Sequence, residues 1–133
     1  MTIYSYCRTS ELEASLEQDE LEAILEAELL AIQTYCLRQG WFMTETLRDT
    51  NCNWNHEFRR RDSGKRLLSL LQPGDVVLCS KLERICSSSH EVVKLIQKLR
   101  DISVQLHIVE LGGGITDPEF SVNFVKITEL YSA

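Results

Sequence analysis

Apolar positions along this chain fall into short continuous runs that alternate with segments repeating every three or four residues. Ile3 to Cys7 is a β-prone run that begins almost at the first residue. From about Ser15 to Gln39, Leu16, Leu21, Ile24, Leu25, Leu29, Ile32 and Leu37 recur at mostly helical steps, and Gly40 stands where a helix-ending glycine is expected. Trp41 to Leu47 reads as a second strand, and Asp49 to Ser63 as a polar loop long enough to be functional. Gly64 to Leu71 predicts a short helix stopped by Pro73-Gly74. Asp75 to Ser80 is a near-continuous apolar run, the pattern of a parallel strand covered on both faces. Ser87 to Arg100 predicts an amphipathic helix and Val104 to Val109 another strand. Gly112-Gly113-Gly114 then precedes a helix from about Pro118 to the end.

Strands that alternate with helices need crossover connections. The expected fold is therefore α/β, three layers deep, with a mostly parallel sheet and helices on both faces. A length of 133 residues suits one such domain, spanning 1–133, and not two. In sheets of this kind sites form beyond the carboxyl ends of the strands. Those ends are Cys7 to Ser10, Leu47 onward, Ser80 to Arg84 and Glu110 onward.

Composition narrows the function classes. No apolar run approaches the roughly 20 residues that span a bilayer, and the first ten residues lack the basic-then-apolar order of a secretory signal, so the expected location is cytoplasmic. Cys7, Cys36, Cys52, Cys79 and Cys86 form no CxxC pair, which argues for free thiols acting as small hydrophobes and against a metal knuckle. His56, His90 and His107 are scattered, so no metal is expected, and no cofactor. The net charge of −6 is unlike a free-standing nucleic-acid binder. The excess is local, however: Glu11 to Glu28 holds eight acidic side chains and no basic one, whereas Arg59, Arg60, Arg61, Lys65 and Arg66 cluster.

At the end of the first strand, alternation gives Tyr6, Arg8 and Ser10 similar bearings, so an arginine and a hydroxyl can converge on one anion. Glu83 and Arg84 add a carboxylate and a second guanidinium at a neighbouring strand end, and Arg61 stands just before the short helix. A serine ringed by planar, permanently charged donors suits phosphoryl chemistry. Each residue alone has a blander use, as a turn serine or a surface arginine. The alternation of elements by itself also permits a small-ligand domain of flavodoxin-like architecture.

Taken in order, the motifs resemble the catalytic domain of serine site-specific recombinases, the resolvase/invertase family. Tyr6-x-Arg8-x-Ser10 resembles the family's opening motif. Ile32-x-x-Tyr35-Cys36-x-x-x-Gly40-Trp41 is similar to the end of its first helix, and Arg61 to Leu68 followed by Pro73-Gly74-Asp75 to its arginine-led helix and turn. Lys81-Leu82-Glu83-Arg84-Ile85 resembles a Lys-Leu-Asp-Arg-Leu segment, and Gln105 to Glu110 the last strand. The resemblance implies that Ser10 attacks a DNA phosphodiester, giving a 5′-phosphoserine link and a 3′-hydroxyl that later reverses the step, without ATP or metal. It implies that Arg8, Arg61 and Arg84 bind or stabilise the phosphate, that Glu83 orients groups or accepts protons, and that Tyr6 supports the site.

Three positions depart from the family pattern. Ser87 stands where a further arginine is usual, Asn51 to Asn55 replaces a Ser-Gly pair, and Glu28 stands where a glutamine is usual. Loss of one electrostatic stabiliser costs on the order of a hundredfold in rate, so a catalytically weakened module retained for dimerisation or regulation is the alternative reading. The resemblance also implies DNA as partner and a homodimer or tetramer built through the C-terminal helix. Phe120, Phe124, Ile127 and Tyr131 supply that helix with an apolar stripe. The final helix is expected to be cut short, with no DNA-recognition domain after it. Target sequence, and the choice among resolution, inversion and integration, leave no mark on these residues.

Overall fold

The computed structural model describes residues 1–10, 17–52 and 56–117, with the side chains of Ser10, Asn51 and Cys52 excepted. The helix expected from about residue 118, and Trp54, lie outside the described residues.

Strand β1 (Ile3–Ser10) leads to helix α1 (Gln18–Gln39), strand β2 (Glu45–Cys52), a 3-10 turn (Phe58–Arg60) and helix α2 (Asp62–Leu70). Strand β3 (Val76–Cys79), the one-turn helix α3 (Leu82–Ile85), helix α4 (Ser89–Asp101), strand β4 (Gln105–Ile108), a second 3-10 turn (Val109–Leu111) and the two-residue strand β5 (Gly113–Gly114) follow. The sheet order is β2-β1-β3-β4-β5. All neighbours are parallel except β4 and β5.

Alternation along the strands explains the layers. Tyr4 and Tyr6 of β1, Val77 and Cys79 of β3, and Leu106 and Ile108 of β4 face one side, where Leu67, Leu82, Ile85, Val92, Leu95 and Leu99 cover them. Ile3, Cys7, Val76 and Leu78 face the other side, against Ile32, Tyr35 and Cys36 of α1. The sheet is thus mostly parallel and covered on both faces, as the sequence pattern predicts.

Several boundaries differ from expectation. The second strand lies at Glu45–Cys52 and not at Trp41–Leu47, because it is built on β1, with Tyr6 opposite Leu47 and Arg8 opposite Asp49. Asp49 to Cys52, the first four residues of the expected loop, are therefore sheet. The third strand stops at Cys79, and Leu82 to Arg84 of the expected strand end fold into α3, with Lys81 as its extended cap residue. Gly113 and Gly114 pair with Ile108 and His107 as a return strand. On α1, Leu37 belongs to the predicted apolar stripe yet is 80% exposed, while Glu28 is buried. Gly40 ends this helix with φ 72°, donating its amide to main-chain oxygens of the last turn.

Candidate active site at the carboxyl end of the sheet

Tyr6 and Arg8 project from β1 toward the face covered by α2, α3 and α4, and both are buried. Three arginines meet there through reciprocal bonds. Arg8 Nη1 donates to the main-chain oxygen of Glu83 at 3.0 Å, and Arg84 Nη1 donates to that of Arg8 at 3.2 Å. Arg61 Nη1 donates to the main-chain oxygen of Arg84 at 2.9 Å and to the Tyr6 hydroxyl at 3.2 Å. Its Nε donates to the main-chain oxygen of His56 at 2.9 Å. Each guanidinium locks onto the segment that carries another site residue, so the end of β1 and the turn of α3 form one unit.

Arg61 is wholly buried, and its Nη2 has no hydrogen-bond partner among the described residues. A buried guanidinium needs compensation. Here it comes through Tyr6, whose hydroxyl accepts from Arg61 and donates to Asp49 Oδ2 at 2.7 Å. Burial above all pushes the Tyr6 hydroxyl well above its ordinary range, Asp49 adds to the rise, and the nearby Arg61 opposes it. Tyr6 therefore stays a neutral phenol that relays between the cation and the carboxylate. The Phe58 ring packs edge-on against it with centroids 4.9 Å apart.

Asp49 had no role in the sequence reading, which placed it in a loop. On β2 it is buried and accepts three hydrogen bonds, from Tyr6 and from the amides of Ser63 and Gly64 at 2.8 and 3.0 Å. It thereby caps α2, offsetting the unfavourable placement of Arg61 at that helix's N-terminus. Ser63 Oγ also reaches the main-chain oxygen of Arg48. Gly64 is required here by contact: a Cβ would sit 2.1 Å from the Phe58 oxygen. The available signal for Asp49 was its two-residue offset from Leu47, which alternation puts on one face.

The remaining expected residues fall as follows. The Ser10 backbone is the last residue of β1, opposite Cys52 and past an irregularity in register after Arg8. Glu83 is exposed and joins the cluster through its main-chain oxygen; its carboxylate makes no hydrogen bond or ion pair among the described residues. Ser87 gives both its amide and its hydroxyl to Glu91 Oε2 at 2.7 Å, while Glu91 Oε1 takes the Phe58 amide at 2.7 Å. Where the family pattern has an arginine, this chain has a helix-start clasp. Arg59 and Arg60 do not take over: both are exposed beside Glu57, which Arg59 holds below its ordinary carboxylate range. Cys7, Cys36, Cys79 and Cys86 are buried thiols that form no disulfide among the described residues, and burial raises each of them, Cys7 to about 11. Among the described residues no three His, Cys, Asp or Glu side chains form a metal cradle, and no helix is long and apolar enough to cross a membrane.

Known proteins resemble this chain. It is 26% identical over 111 residues to the Transposon Tn2501 resolvase of Escherichia coli, covering 84% of this chain and 51% of that protein. A shorter stretch of 78 residues, 58% of the chain, is 33% identical to Ribosomal RNA large subunit methyltransferase H of Nitratidesulfovibrio vulgaris, half of whose length it covers. The chain thus spans about half the length of these curated relatives. Among solved structures, the N-terminal catalytic domain of TP901-1 integrase superposes with a TM-score of 0.67 at 16% identity, over 98% of this chain and 93% of that one, which shows a shared fold. The family profile described as Resolvase, N terminal domain, matches residues 3–132. With nearly every residue inside that match, the chain belongs to the resolvase family.

Proposed function

We propose that this domain cleaves and rejoins DNA in site-specific recombination, with Ser10 as nucleophile. The observation that carries the reading is the interlocking of Arg8, Arg61 and Arg84 at the carboxyl end of the strand that terminates in Ser10. The Ser10 hydroxyl attacks a phosphodiester phosphorus and loses its proton. The P–O bond to the 3′ oxygen breaks and that oxygen takes up one proton, equal to the one Ser10 gives up, leaving a 5′-phosphoserine link and a 3′-hydroxyl. Reversal onto a new 3′-hydroxyl reseals the strand, and the covalent link conserves the bond energy in between. The guanidiniums balance charge on the non-bridging oxygens, in a setting where low polarity strengthens each contact. Tyr6 and Asp49 hold Arg61 in place; Glu83 fixes Arg8 through its carbonyl, and its exposed carboxylate is available to take the proton.

A second reading, a recombinase-fold module with weakened chemistry, draws on Ser87 in place of an arginine and on arginine donors already engaged by main-chain oxygens. Trapping separates the two. Full-length protein incubated with DNA and then denatured should give a covalent adduct that Ser10→Ala abolishes while keeping its fold. An adduct undiminished in Ser10→Ala would refute the assignment, and none from the wild-type protein would favour the second reading. DNA as substrate, and assembly through the segment after residue 117, belong to the same proposal. Sedimentation over a wide concentration range should show self-association.

A further inference from the structure

The acidic residues of α1 and its cap residue Glu17 divide into two kinds. Glu17, Asp19, Glu20, Glu22 and Glu26 are exposed, whereas Glu28, on the turn between Leu25 and Ile32, is only 7% exposed. Its carboxylate lies over the carboxyl ends of β1 and β3. There Oε1 accepts from Ser80 Oγ at 3.2 Å and lies 3.4 Å from Arg84 Nε. Its negative charge reaches the thiols of Cys7 and Cys79, contributing to the rise of both. A carboxylate at this depth is tolerated because it is paired and hydrogen-bonded. The partner it has taken is an arginine of the candidate phosphate pocket.

This has a consequence for the proposed chemistry, on which the inference rests. Arg84 gives Nη1 to the Arg8 oxygen and turns its Nε edge toward Glu28. A phosphodiester entering beside Arg84 meets a guanidinium whose charge is already balanced, and a nearby carboxylate that repels it. We propose that Glu28 is an internal counter-ion that holds Arg84 in the resting site and competes with phosphate for it. Glu28 is thus a positioning residue acting through Arg84, and it lowers the affinity of the pocket for anions. Its neutral isostere, glutamine, keeps the reach and an acceptor for Ser80 but gives up the competition.

Sulfate, which stays divalent across the working pH range, is a suitable probe for the whole protein. Titration followed by calorimetry and NMR should show Glu28→Gln binding sulfate about tenfold more tightly than wild type, a factor typical of one close charge pair. In the Glu28→Gln background, Arg84→Ala should erase that gain, because the competition runs through Arg84. Equal sulfate affinity in wild type and Glu28→Gln would overturn the inference and leave the phosphate pocket standing. Failure of both proteins to bind sulfate would overturn the pocket itself, and this inference with it. If Glu28→Gln does not fold, the wild-type protein still decides. The Glu28 side-chain carboxyl carbon resonance should move as sulfate saturates, and a resonance that stays fixed at saturation would overturn the proposal.

Discussion

Tyr6 and Tyr35 each give a hydroxyl hydrogen to a buried partner at 2.7 Å, on opposite faces of the same sheet, yet the networks around them differ in kind. Tyr35 meets His107 Nδ1, while His107 Nε2 meets Gln105 Oε1 at 2.9 Å. With Nδ1 accepting and Nε2 donating, every polar atom of a neutral imidazole is satisfied. Trp41 closes the group edge-on, 5.0 Å from the imidazole centroid. The Tyr6 network instead gathers the buried guanidiniums of Arg8 and Arg61 with that of Arg84, relays charge to Asp49, and leaves one Arg61 nitrogen without a partner among the described residues. Neutral, closed networks specify packing. Charged networks with donors to spare are suited to receiving an anion.

The comparison is most sharply broken by activity. Replacing either Arg8 or Arg84 by alanine should lower the rate of covalent adduct formation by about 100- to 1000-fold, the usual cost of one preorganised stabiliser. Tyr35→Phe, on the neutral side, should leave that rate unchanged while costing about 1 kcal/mol of stability for one lost hydrogen bond. Quench-flow gels and denaturant melts read the two effects. A comparable fall in rate for Tyr35→Phe would erase the distinction.

Each network also contains one glycine held by contact, and the contacts differ. At Gly64 a Cβ would meet a main-chain oxygen at 2.1 Å, which only a backbone shift relieves. At Gly114 it would meet the His107 ring at 3.0 Å, and a small ring movement suffices. Gly64→Ala should therefore destabilise by about 3 kcal/mol and Gly114→Ala by about 1 kcal/mol. Urea denaturation giving the reverse order would contradict the assigned tightness.

The smallest effect is a pH slope. Burial lowers the His107 pKa below its ordinary value, and Asp117 partly offsets this. A histidine whose folded pKa is depressed contributes stability above the ordinary value of about 6.5 and loses it as pH falls, because only the unfolded chain takes up the proton early. His107→Gln should flatten the stability profile just below that value, by less than about 1 kcal/mol at its lower end. An unchanged slope would place the titration elsewhere.

Much of this division was legible in the residues. Tyr6 and Arg8 share a bearing because β1 alternates, and Val76 to Cys79 read as buried on both faces because all four are apolar. The opposing pieces were harder. Strand β2 is polar at Arg48, Asp49, Thr50 and Asn51, so its extent comes from pairing with β1 and not from its own pattern. Asp49 was hidden with it. Periodicity on α1 admits Leu37 and overlooks Glu28, because it weighs apolarity and is blind to an arginine arriving from α3. The turn of α3 itself, four residues long, lies below what a helical period can reveal.

The central claim is that the arginine-bearing network, and not its neutral counterpart, receives the DNA phosphate. A crystal structure of the protein with a short DNA duplex tests it most directly. The account predicts a backbone phosphate in contact with at least two of Arg8, Arg61 and Arg84, with the Ser10 hydroxyl facing its phosphorus. DNA bound on another surface, with all three arginines still holding their main-chain oxygens, would contradict it.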